Sequence, residues 1–93
     1  MATYRAWVTD ADTGNEGVYD FEARGDLFDD TPVRIVRAFM EHIDRDVFPK
    51  EHVDYELNAA IKHGHHKVVT AMGTLILDKG PGLPFTLFIA EKK

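Results

Sequence analysis

The 93-residue chain contains no cysteine, no serine and no glutamine. The lack of Cys excludes disulfides, thiolate metal ligands and thiol nucleophiles. Without Ser or Cys, one chain cannot assemble the common nucleophile–His–acid arrangements. Thr remains, but it acts this way chiefly when it carries the free terminal amine. Covalent acyl transfer is therefore not expected. No apolar run approaches the roughly 18 residues that span a bilayer. The opening stretch MATYRAWVTDAD has no apolar segment of signal-peptide length either, so a cytoplasmic protein is expected.

Positive charge is also scarce. Lys and Arg number 11 against 16 Asp and Glu, a formal net charge of −5. Residues 1–30 carry eight acids (Asp10, Asp12, Glu16, Asp20, Glu22, Asp26, Asp29 and Asp30) against Arg5 and Arg24, a net of −6. The rest carries eight acids and nine bases. Phosphate-rich partners are held by basic patches, so neither nucleic acid nor an anionic membrane is an expected partner. The plain reading of the acidic third is a solvated face that keeps a small protein soluble; the sharper one is a basic partner or a cation.

Hydrophobic residues make up 44% and charged residues 29%, a globular mix rather than a disordered one. At this size folding buries about 64% of the extended chain's surface, enough for one core. Residues 1–93 are read as a single domain.

Residues 3–9 alternate, with Tyr4, Ala6 and Val8 on one face and Arg5 and Trp7 on the other, the period of a half-buried strand. After a Gly-bearing loop at 10–17, residues 18–23 alternate again, which predicts a β-hairpin. Asp30 or Thr31 can cap a helix that Pro32 opens. Val36, Phe39, Met40, Ile43 and Val47 then form one apolar stripe at helical period, and Pro49 ends the helix at about Phe48. Residues 52–62 alternate cleanly, with Val53, Tyr55, Leu57, Ala59 and Ile61 on one face. Strands at 68–77 and 84–90 follow, joined by Lys79-Gly80-Pro81-Gly82, the Pro-Gly order of a type II turn. The order ββαβββ predicts an α+β two-layer sandwich, one helix on a five-stranded, mainly antiparallel sheet. The helical stripe is expected to meet Tyr4, Val8, Phe21, Tyr55, Leu57, Leu75, Leu87 and Ile89.

Five features could carry function. His63, His65 and His66 crowd one turn, and imidazole is the commonest metal ligand, although zinc sites require three or four ligands fixed by their surroundings. A polar exposed turn is the simpler reading. Asp10 to Glu16 offers oxygen ligands suited to Ca²⁺, but Gly14 and Phe21 stand where an EF-hand needs ligands. The Gly-rich stretch Asp78 to Pro84 matches no phosphate loop and leads into a strand. His52 with Asp54 or Glu56, or His66 with a neighbouring acid, could perform acid–base chemistry at a dimer interface; geometry decides this.

The fifth is the sheet face away from the helix. Alternation places Trp7, Met72, Ile76 and Phe88 there, among Arg5, Thr70, Thr74, Thr86, Glu22, Asp54 and Glu56. Trp, Phe and Met are enriched at interfaces, whereas isolated exposed apolar residues are ordinary. The expectation is a non-enzymatic interaction module that forms a homodimer, or binds another protein, through Trp7, Met72, Ile76 and Phe88. A small-ligand or divalent-cation binder, or a small His/carboxylate enzyme, is the alternative. No residue set calls for a cofactor, and none is expected.

The composition also sets a colloidal expectation. With a sequence pI of about 5.4, the chain loses most of its net charge between pH 7.5 and 5.5. Loss of self-repulsion lets apolar patches meet. Scattered mass should rise as pH drops across this window in a light-scattering titration; a flat profile down to pH 5.5 would contradict an adhesive surface.

Overall fold

A computed structural model describes residues 2–10, 14–78 and 80–92. Five strands, β1 (Ala2–Asp10), β2 (Glu16–Ala23), β3 (Val53–Lys62), β4 (Val68–Leu77) and β5 (Leu83–Glu91), form one sheet in the order β2-β1-β5-β4-β3. Every neighbouring pair is antiparallel. Helix α1 (Pro32–His42) lies on one face, giving the α+β two-layer fold. None of the described helices is long and apolar enough to cross a membrane.

Local sequence accounts for the helix. Thr31 is its N-cap, accepting the Arg34 N–H at 3.4 Å, and Pro32 occupies the first turn. Beyond His42 the chain widens into a π-helical turn, Ile43–Val47, in which the Phe48 N–H donates to the Ile43 carbonyl at 2.9 Å. Asp44 then accepts the Val53 N–H at 3.3 Å, tying this turn to the start of β3.

The apolar stripe is wider than its expected set. Ile35, Val36, Phe39, Met40 and Ile43 are buried, while Val47 is only half-buried. A 3₁₀ turn, Leu27–Asp29, adds buried Leu27 and Phe28 to the core, which the alternation of strands could not reveal. Tyr4 anchors this turn. Its hydroxyl accepts the Leu27 N–H at 2.9 Å and donates to the Gly25 carbonyl at 3.3 Å. Lys62 closes the same end of the sandwich, donating to the carbonyls of Phe28 at 2.8 Å and Asp30 at 3.0 Å.

Four residues expected in the core, Val8, Tyr55, Leu57 and Leu75, are only half-buried. An 11-residue helix spans about 16 Å, whereas strands of nine or ten residues span roughly 30 Å, so α1 covers part of the inner face and no more.

Two sequence expectations are corrected. The alternation of β3 does not run through to Ile61. Pairing steps from Leu57 opposite Gly73 to Ala59 opposite Met72, a β-bulge at Asn58. One extra residue reverses the parity of the faces, so Ile61 points outward and is 61% exposed. The turn after β4 is also not built on Gly82. Among the described residues of this turn the left-handed one is Asp78 (φ 50°), held by two bonds to His52. Its carboxylate accepts the His52 N–H at 2.8 Å, and its own N–H donates to the His52 carbonyl at 2.9 Å. Lys79, the first residue of the expected type II turn, lies outside the described residues.

Candidate functional site

The outer sheet face carries a continuous apolar row. The strand registers place Ile61 opposite Thr70, Thr70 opposite Phe88, Phe88 opposite Trp7, and Trp7 opposite Val18. These five side chains form one row across all five strands, apolar except for Thr70. Ile61, Phe88 and Val18 are 61%, 41% and 51% exposed. At the centre, the Trp7 and Phe88 rings meet edge to face with centroids 5.6 Å apart, a geometry favoured by the ring quadrupoles. One flanking row runs Ala59, Met72, Thr86, Thr9, Glu16, with Met72 half-exposed; the other runs Val68, Ala90, Arg5, Asp20. A shallow depression of about 380 Å³ is lined by the two rings together with Thr9, Glu16, Thr70, Thr86 and Leu87.

Of the residues the sequence singled out, Trp7, Met72 and Phe88 are brought together here. Ile76 shares the face but sits four residues along β4 from Met72, opposite Asp54. Val18 and Ile61 belong to the row and were not singled out. Val18 sits among acids in β2, and Ile61 reaches the face only through the bulge.

Ion pairs border the row. Asp20 accepts Arg5 Nε at 2.8 Å and Lys92 Nζ at 2.8 Å. These two cations, Arg5 foremost, hold its carboxyl well below the usual carboxylate range, so the cluster stays charged at neutral pH. Asp26 is likewise lowered, first by the hydrogen bond from Lys67 at 2.7 Å and then by the Phe28 N–H.

The remaining candidates do not converge into sites. His63 Nε2 bonds Thr70 Oγ1 at 2.7 Å on the outer face, while His65 and His66 are exposed in the turn beside Lys67. Among the described residues no group of three or more His, Cys, Asp or Glu could hold a metal ion. Of the expected Asp10–Glu16 ion loop, Ala11, Asp12 and Thr13 lie outside the described residues; the ends are joined by Gly14 N–H donating to the Asp10 carbonyl at 2.7 Å. His52 and Asp54 approach to 3.4 Å, but both side chains are about 70% exposed and stand in solvent. His42 stacks on Phe21, centroids 5.9 Å apart, and contacts Asp46 at 3.0 Å, beneath the sheet rather than on it.

Against family models, curated proteins and solved structures, the chain shows no match. The outer face therefore carries the functional argument alone.

Proposed function

We propose that this protein is a non-enzymatic module that pairs with a second copy of itself through the outer sheet face. The supporting observation is the apolar row Ile61–Thr70–Phe88–Trp7–Val18. Two arguments choose the second copy as its occupant. Five strands at about 4.8 Å spacing and some 30 Å long present roughly 700 Å², close to the ~800 Å² that each partner buries in a standard interface. The face also carries a depression walled by the Trp7 and Phe88 rings, so a two-fold axis lets the exposed Phe88 of each copy meet the other's depression. The edges are poorly suited to strand-to-strand pairing. The β3 edge is bulged and carries Asp54, Glu56 and Lys62, and the β2 edge carries Asp20 and Glu22, the usual protections of an exposed edge. Face-to-face stacking is the arrangement left.

Sedimentation tests this directly. The wild-type chain should be a dimer at tens of micromolar, and Trp7→Ala/Phe88→Ala should be monomeric with unchanged far-UV dichroism. Central aromatic truncations each remove about 2 kcal/mol or more from an interface, so the pair should weaken association by at least 100-fold. Val33→Ala removes an apolar side chain that is 51% exposed on the helix and should leave the dimer intact. A wild type that is monomeric at 100 micromolar would refute the proposal, as would a double variant that still dimerises.

A further inference from the structure

Given the face-to-face pairing proposed above, on which this inference rests, two stackings of the outer face are open. Strands of stacked sheets run within about 30° of one another, so the two-fold axis lies close either to the strand direction or to its perpendicular in the plane of the sheets. In the order β2-β1-β5-β4-β3 the central strand is β5. An axis along β5 lays β2 of each copy on β3 of the other, and β1 on β4. An axis across the strands lays each strand on its own counterpart.

Side-chain size separates the two. The apolar row is bulky on one side of its centre only. Trp7 in β1 packs against Phe88 in β5, whereas Thr70 holds the matching place in β4. An axis across the strands stacks Trp7 on Trp7 and Thr70 on Thr70, which props the sheets apart at the rings and leaves a gap at the threonines. An axis along β5 stacks Trp7 on Thr70 twice and Val18 on Ile61 twice, with Phe88 of each copy at the axis, against the other's depression. Close packing favours large side chains facing small ones across the layers.

The polar residues point the same way. Glu16 and Asp20 lie in the rows on either side of the apolar row, and an axis across the strands exchanges those rows. Glu16 of each copy then falls on Asp20 of the other, while Arg5, one strand further in, falls on Thr9. Like charges facing each other across an interface count against that pairing. An axis along β5 keeps each row on itself. Glu16 then falls on Ala59, and Asp20 on His63, which bonds the Val68 carbonyl at that level and carries no negative charge. Lys92 sits near this axis, but its ammonium is drawn aside to Asp20 at 2.8 Å, so the ammonium groups of the two copies point apart.

We infer that the two copies pair about an axis along β5, with Val18 and Trp7 of each meeting Ile61 and Thr70 of the other. Isotope-filtered NMR on mixed labelled and unlabelled wild-type chains reads these contacts without any substitution. Intermolecular contacts should join the Val18 and Ile61 methyls, and the Trp7 ring and the Thr70 methyl. Within one chain these partners are four and two strand spacings apart, about 19 and 10 Å, too far for such contacts. Cross-linking gives a second reading. The chain has no cysteine, so Val18→Cys and Ile61→Cys each introduce a single thiol. A short bismaleimide spans the ~10 Å between stacked sheets but not the ~20 Å between positions on opposite edges. Mixed Val18→Cys and Ile61→Cys chains should cross-link to each other, and neither to its own kind. A dimer with Val18 against Val18 and Ile61 against Ile61, or Val18→Cys chains that link to each other, would overturn the axis and leave the outer-face pairing in place. A monomeric wild type, or a dimer without contacts from the outer face, would overturn both.

Discussion

Replacing Gly73 with alanine should destabilise the fold by about 2–3 kcal/mol, the range of an overpacked interior that cannot relax freely. Gly73 lies in β4 opposite Leu57, next to the bulge at Asn58. A Cβ on Gly73 would fall on the Glu56 carbonyl oxygen, and backbone cannot rotate away as a side chain can. The contrast is Gly82, where a Cβ would meet only the Thr74 methyl. Urea unfolding should show a lowered midpoint for Gly73→Ala and a smaller change for Gly82→Ala. Deletion of Asn58 gives a sharper test. It removes the extra residue while leaving Leu57 opposite Gly73 and Ala59 opposite Met72, so the loss caused by Gly73→Ala should shrink in that background. An undiminished loss would mean that the bulge is not its cause.

Tyr4→Phe should destabilise by about 1–3 kcal/mol, although it removes one oxygen atom and no apolar volume. The Tyr4 side chain is fully buried, and its hydroxyl is the acceptor for the Leu27 N–H. Phenylalanine leaves that N–H buried without an acceptor, and the desolvation of an unmatched donor exceeds the net worth of an ordinary hydrogen bond. The rings of Phe21 and Phe28, both with centroids 5.7 Å from Tyr4, leave little room for water to substitute. At this chain length each kcal/mol moves the melting temperature by about 4–8 °C, so calorimetry resolves the effect. The loss should be local in character. Hydrogen exchange should quicken first at residues 25–30, where the 3₁₀ turn is released from β1. A melting temperature within 1 °C of wild type would show that Leu27 finds another acceptor.

The two effects bear on the proposed dimer in different ways. The bulge that requires Gly73 is also what turns Ile61 outward to the end of the apolar row. Tyr4 belongs wholly to the inner layer. Gly73→Ala should therefore weaken both stability and association, and Tyr4→Phe stability alone.

Periodicity is a local property, and what depends on it was legible in the sequence. Period-two alternation in residues 3–9, 18–23 and 84–90 placed Trp7 and Phe88 opposite the core, because a strand's side chains have only two faces to choose from. Thr31, Pro32 and the stripe from Val36 to Ile43 placed the helix, because capping and amphipathicity act within a few turns. The strand order and the adjacency of Trp7 with Phe88 came only with the sheet, since pairing between strands 80 residues apart leaves no mark on either strand's pattern. The bulge had a faint signal, an Asn inside a strand. Its consequence for Ile61 depends on which register the sheet as a whole selects. The partial cover of the inner sheet face had no local signal at all. Val8 and Leu75 read as core from their alternation. Whether Val8 and Leu75 are covered depends on how far a helix of 11 residues reaches along a sheet nearly twice its length. Local chemistry thus determined the main elements and, outside the bulged end of β3, the direction each side chain faces; the tertiary structure decided what lies opposite each one.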